Sequence, residues 1–227
     1  MLTDRVIART VGVLFIVGTV TAIVGGSMVL AIEEPGALST VAADQGSVVT
    51  GVLLELVLAL SVLGIGALLF PVLRRRDEGL ALGYAGVRTL EAVFLMAASV
   101  AALVFVAPGP GARAAGAAAR VPGLVLALRD WTYLVGSMVL LGVGGLILYS
   151  LLFRAALVPA WLSLWGLVAA ALILLRGVLE VYGLDLPGVW QAVLAAPIAV
   201  NEMVLAVWLI VKGFDTEDAR VSSGVRR

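Results

Sequence analysis

Arg88 and Glu91 stand three residues apart, and Arg176 and Glu180 four apart, each pair inside a long apolar run. Either spacing puts both side chains on one helix face, where they can form an ion pair. Glu55 and Glu202 lie in similar runs with no basic residue within a turn. Asn201 adjoins Glu202, and Arg129 and Asp130 stand at the mouth of a further run that Tyr133 and Ser137 continue as a polar stripe. A charge at the centre of a membrane helix costs about 2.5–3.5 kcal/mol on insertion scales, so eight of them need a reason. Three arginines face five acids here, which leaves two acids over even if every arginine is paired. An unpaired buried carboxylate takes up a proton, binds a cation or contacts water. Glu55 and Glu202 are the candidates for that role. The Arg–Glu pairs could instead only fix helix register, and Arg129 with Asp130 could snorkel to the interface.

The elements that must position these groups follow from composition. The chain has 227 residues, 62% of them hydrophobic, and a mean hydropathy of +1.14. About 20 apolar residues cross the hydrocarbon at 1.5 Å rise per residue. Spans are expected near 10–32, 48–73, 80–106, 131–153, 157–182 and 187–211. The expected fold class is therefore all-α, an integral membrane bundle of six transmembrane helices in a single domain over 1–227, with a short tail at 213–227. The apolar run after Arg5 and Arg9 exceeds a signal-peptide core and ends in no A-x-A site, so it reads as a retained first helix.

Orientation follows from the basic residues. Arg5, Arg9, Arg74, Arg75, Arg76, Arg154, Lys212, Arg220, Arg226 and Arg227 fall on one side; only Arg113 and Arg120 fall in the opposite loops, where Glu33, Glu34 and Asp44 also lie. Positive residues favour the cytoplasmic side, so both termini are expected there, in an inner (plasma) membrane. Trp131, Tyr133, Tyr182 and Trp190 near the outer ends, and Tyr84, Tyr149, Trp161, Trp165 and Trp208 near the inner ends, read as two aromatic belts. Gly51, Glu55, Ala59 and Gly66 share one face of the second helix, as Gly18, Ala22 and Gly25 do on the first. Small residues let helix backbones approach closely in lipid, so these faces are expected to pack.

Four segments carry a family likeness: Leu80 to Glu91 (LALGYAGVRTLE), Arg129–Asp130–Trp131, Arg154 to Leu167 (RAALVPAWLSLWGL) and Asn201 to Phe214 (NEMVLAVWLIVKGF). Together they resemble a bacterial multi-spanning membrane family, domain of unknown function 4386. The resemblance covers roughly residues 5–214 and implies a six-helix bacterial inner-membrane protein; it implies no activity. An internal echo also exists. Leu63-Gly64-Ile65-Gly66 and Leu141-Gly142-Val143-Gly144 precede Arg76 and Arg154 at the same offset, as a parallel hairpin repeat would, although apolar helices also match by composition.

Several chemistries are disfavoured. The chain lacks histidine and cysteine, the usual ligands of haem, zinc and copper, so no cofactor and no metal is expected. Zero formal net charge gives no reason to expect nucleic acid. No phosphate loop, serine elbow or H-E-x-x-H helix is present, and Lys212 lies too near the rim for a buried Schiff base. Three functional classes fit: a small carrier binding a proton, a cation or a small amphipathic solute; a non-catalytic accessory, sensor or assembly subunit with structural ion pairs; and a lipid-directed enzyme using carboxylates. Expected partners are the lipid bilayer, a small-molecule or proton ligand, and other membrane subunits or a second copy. Clear Pro- or Gly-broken helix pairs, common in secondary transporters, are not evident.

Overall fold

Thr3 opens the first helix: its hydroxyl accepts the Val6 amide at 3.4 Å, and Asp4 follows in the first turn. Both features stabilise a helix N-terminus, so α1 starts at Asp4, ahead of the apolar run that begins near residue 10. A computed structural model describes residues 3–30, 45–106, 121–184 and 186–215 of the chain. Its helices are α1 (Asp4–Val29), α2 (Gln45–Leu73), α3 (Glu78–Val106), α4 (residues 121–154), α5 (Ala160–Val181) and α6 (Gly188–Val211). No strand occurs among the described residues. All six helices are long and apolar enough to cross a membrane.

α4 differs most from expectation. It begins at Val121, about ten residues before the expected span, because Pro122 suits a first helical turn and Gly123 to Leu128 continue an apolar run. Arg129 and Asp130 are therefore more than two turns inside the helix. The helix is also not uniform. Segments Val121–Leu134 and Leu141–Arg154 are joined by a π-helical turn, Val135–Leu140. Pro71 and Pro197 lie inside α2 and α6, where each removes a backbone donor. α2 and α6 stay continuous α-helices through these prolines, and the distortion that the sequence did not reveal is the π-helical turn of α4.

Consecutive helices pack against each other, and α6 returns to α1, so the six form a ring. Small residues set the closest approaches. A Cβ on Gly25 would lie 2.9 Å from the Gly51 carbonyl oxygen, which joins α1 to α2 on the faces expected to pack. A Cβ on Gly12 would lie 2.6 Å from the Ala206 carbonyl oxygen, which brings α6 onto α1 in the half of the bundle nearest Asp4 and Val211. Between α4 and α5, Gly142 abuts the Leu174 backbone, Gly145 meets Ala170, and the Tyr149 ring occupies the place where a side chain on Gly166 would stand.

The aromatic belts are corrected in part. Tyr84 and Tyr149 are fully buried in the main core instead of standing at the bundle surface: the Tyr84 hydroxyl accepts from Arg88, and Gly166 leaves room for the Tyr149 ring. Trp131, Tyr182, Trp190 and Trp161 are exposed, and Trp165 stacks on Trp161 with ring centroids 6.4 Å apart. Arg5, Arg9, Arg74, Arg75, Arg76, Arg154 and Lys212 cluster at the helix ends that share a side with Asp4 and Val211, where Arg75 pairs with Asp4 at 2.7 Å. Glu33, Glu34, Asp44, Arg113, Arg120 and the tail arginines lie outside the described residues.

Gly142→Ala places a methyl 2.7 Å from Leu174 Cβ and 2.9 Å from its Cα, so backbone must move. It should destabilise the bundle by about 1–3 kcal/mol. Gly83→Ala and Gly86→Ala meet nothing within 4 Å and should be neutral or stabilise by up to about 1 kcal/mol. Thermal unfolding in detergent compares them; equal effects at all three positions would contradict the packing described.

Candidate functional site

Two separate ion-pair clusters and one clamp account for all of the embedded charges but Asp130. In the first cluster, Glu55 on α2 receives Arg129 from α4. Arg129 Nη2 lies 2.9 Å from Glu55 Oε1 and Nη1 donates to Oε2 at 3.1 Å, a two-pronged fork. The Ser99 hydroxyl of α3 donates to the same carboxylate at 3.3 Å, and Arg129 Nη1 also reaches the Ala98 carbonyl at 3.4 Å. The guanidinium lies over the Tyr133 ring, 5.5 Å from its centroid. Both charged side chains are buried, so this cluster ties α2, α3 and α4 together inside the bundle.

That arrangement overturns two expectations. Glu55 is not an acid without a partner, and Arg129 does not snorkel to the interface. The cause is the earlier start of α4, which carries Arg129 to the depth of Glu55. The signal was present in the run Gly123 to Leu128, apolar and directly ahead of Arg129. Asp130, one residue on, points elsewhere: it is exposed and lines a vestibule at the end of the bundle away from Asp4 and Val211.

The second cluster lies deeper. On α3, Arg88 Nη1 donates to both oxygens of Glu91, at 3.0 and 2.9 Å, and Nε donates to the Tyr84 hydroxyl at 3.0 Å. Phe15 of α1 and Tyr84 both lie against the guanidinium, with ring centroids 5.8 and 5.6 Å from its central carbon. Gly66 of α2 makes the space, since its Cβ would meet Arg88 Cβ at 2.8 Å. Glu202 of α6 joins from the side: its Oε1 lies 3.5 Å from Arg88 Nη2. The side chain of Glu202 is 15% exposed, against 3% for Arg88 and Glu91. Thus one guanidinium serves two carboxylates, and Glu91 holds it more closely.

Asn201 does not serve Glu202. Adjacent residues on a helix point about 100° apart, and the Asn201 amide donates instead to the Leu162 carbonyl of α5 at 3.1 Å. It is a buried link between α5 and α6. The clamp is Arg176, whose Nε pairs with Glu180 at 2.7 Å while its Nη1 and Nη2 donate to the backbone and side-chain oxygens of Gln191. It holds the α5–α6 hairpin at the end away from Asp4 and Val211.

Beside the deeper cluster is a cavity of about 210 Å³, bounded by α1, α2, α3, α4 and α6. Its wall is chiefly apolar, with Phe15, Leu58, Val62, Ile65 and Ile198; Arg88, Glu91 and Glu202 close one side and Tyr133 and Ser137 another. The Ser137 hydroxyl is buried and, among the described residues, has no hydrogen-bond partner. It sits on the π-helical turn, a distortion that often occurs at functional sites. A second space of about 500 Å³, with Arg129, Asp130, Glu180 and Tyr133 in its wall, shares Ala22, Ile23 and Tyr133 with the first. Tyr133 therefore stands between vestibule and cavity. Sequence reading missed Ser137 as a cavity group because a π turn has no clear residue signature. No group of three or more acids able to hold a metal is present among the described residues.

The two clusters should respond differently to substitution. Glu55→Gln or Arg129→Met alone strands a buried partner and should cost about 3–5 kcal/mol. The double variant Glu55→Leu with Arg129→Met should recover much of that loss, since apolar replacement of a buried pair is often neutral. Detergent unfolding midpoints check this; a harmless Glu55→Gln would contradict a structural role for the fork.

Over residues 10–213 the chain matches the family model described as Domain of unknown function (DUF4386). No curated protein and no solved structure matches it. The matched region takes in both ion-pair clusters and nearly all of the six apolar helices, and the chain belongs to the family of domain of unknown function 4386.

Proposed function

We propose that this protein is a small carrier of the bacterial inner membrane, with both termini cytoplasmic, that binds a compact organic cation in exchange with a proton. The observation that carries the reading is Glu202. Its carboxylate borders a mostly apolar cavity, and among the described residues its one ion-pair contact is a 3.5 Å approach to an arginine already gripped by Glu91. Arg88, Glu91 and Glu202 together carry one more acid than base. A carboxylate in such a place is neutralised by whatever cation can reach it. An ammonium group would face Glu202, with the Ser137 hydroxyl as an acceptor nearby and the apolar wall against its hydrocarbon. Cation–π contact with Tyr133 would add to this.

Proton and organic cation compete for the same oxygens, so the sign of the pH dependence follows. Lower pH favours the protonated carboxyl and weakens cation binding; higher pH strengthens it until the amine loses its own proton. Phe15, Tyr84, Arg88 and Glu91 surround the site, and of these Arg88 and Glu91 remain paired in both forms.

Glu202→Gln should keep the fold and lose the ligand. Calorimetry with n-butylammonium on protein in lipid nanodiscs should show at least about a tenfold loss of affinity, or ~1.4 kcal/mol. Its unfolding midpoint should stay close to wild type. A large loss of stability with no change in binding would move Glu202 to the structural ion pairs. Orientation has its own check: reporters fused after Arg76 and after Val41 should report opposite sides, the first cytoplasmic. Reports from one side for both would contradict the topology.

A further inference from the structure

The access route to the cavity carries information about what enters it. α1 and α6 meet closely in the half of the bundle nearest Asp4 and Val211, where a Cβ on Gly12 would run into Ala206 and Ile210. Thr19 and Ala199 lie further along the two helices, and both line the cavity, yet Ala199 is exposed. Ile23, one turn beyond Thr19, is 66% exposed while lining both the cavity and the vestibule. Residues that line a cavity and also lie open belong to its edge. That edge is apolar on both helices.

The outer half of α6 explains why it stands open. Pro197 lacks an amide hydrogen, so the Val193 carbonyl has no helical partner there. Val189, Trp190 and Val193 are all about half exposed or more. What holds this half is the Arg176 clamp on Gln191, beyond the slot. Between clamp and Gly12 contact, the α1–α6 boundary opens at mid-depth, where the surroundings of a membrane protein are hydrocarbon. At this boundary a water-soluble solute would meet apolar groups, whereas the vestibule offers it Asp130 and Glu180. A chain dissolved in the bilayer crosses an apolar edge without leaving hydrocarbon.

We infer that the ligand of the Glu202 site is a membrane-dissolved single-chain amphiphile with a cationic head, which enters through the slot between α1 and α6 and leaves its alkyl chain lying in that slot. This rests on the reading of Glu202 as the cation-binding group. The charge surplus selects the head, and the apolar edge formed by Ile23 and Ala199 selects the chain. A short alkyl chain can be enclosed by the cavity, but a long one must leave through the slot.

The test compares n-butylammonium with n-dodecylammonium on full-length protein in nanodiscs, with empty nanodiscs subtracted. Wild type should bind both, and Glu202→Gln should lose both by tenfold or more. Ala199→Phe, which fills the slot, should weaken the dodecyl ligand at least tenfold more than it weakens the butyl ligand. Ile23→Trp on the facing wall should act the same way, which covers a failure of Ala199→Phe to fold. Leu82→Phe, on the exposed surface of α3 away from the slot, should change neither. Slot variants that affect both ligands equally, or neither, overturn the lateral route and leave the head site standing. Wild-type binding that does not depend on Glu202 overturns the head site and the route together.

Discussion

An arginine inside hydrocarbon must bring a carboxylate with it, and the rest of the structure is arranged around that requirement. Desolvating either charge alone costs several kcal/mol, so each pair forms only where both partners arrive at one depth and one face. Arg129 meets Glu55 because α4 starts early enough to lower it to that level. Arg88 meets Glu91 on its own helix, and Gly66 opposite lacks the side chain that would occupy the space. Arg176 holds Glu180 and Gln191 at one rim. The Arg129–Glu55 fork, the approach of Glu202 to Arg88 and the Arg176–Gln191 clamp set the relative height of helices whose apolar surfaces could otherwise slide, while the glycine contacts set how near they lie. Charge fixes register; glycine fixes distance.

The surplus of acid then has only two places to go. Asp130 resolves it by exposure in the vestibule, and Glu202 resolves it at the cavity with a partial share of Arg88. These two carboxylates lie on either side of Tyr133, which borders both spaces. Tyr133 also stacks on the arginine of the structural fork. A side chain that separates two spaces while resting on a fixed ion pair is well placed to couple their filling. The π-helical turn that follows it leaves the Ser137 hydroxyl without a partner among the described residues, a cost that a bound ligand could offset.

Much of this was legible in the residues. Hydropathy marks six spans, and the i,i+3 and i,i+4 spacings of Arg88–Glu91 and Arg176–Glu180 are enough to predict the pairs that form. Counting charges shows that two acids exceed the arginines, but not which two. That identity depended on where α4 begins, and helix ends are set by backbone details weaker than the apolar signal. Glu55 was therefore mistaken for a free acid. Asn201 was misplaced for a different reason: adjacency in sequence suggests cooperation with Glu202, whereas helical geometry turns it toward Leu162. Tyr84 and Tyr149 read as interfacial because tyrosine prefers that zone. The bond from Arg88 to Tyr84 and the glycine that α5 brings to Tyr149 show that their rings belong in the core.

The central claim is that Glu202, alone among the embedded glutamates, faces a ligand. Infrared difference spectroscopy on nanodisc protein, with and without n-butylammonium, tests this directly. The carboxyl band of Glu202 can be assigned by its loss in Glu202→Gln. The account predicts that ligand shifts this band while those lost in Glu55→Gln and Glu91→Gln stay in place. A ligand-independent Glu202 band, or a shift confined to Glu55 or Glu91, would contradict it.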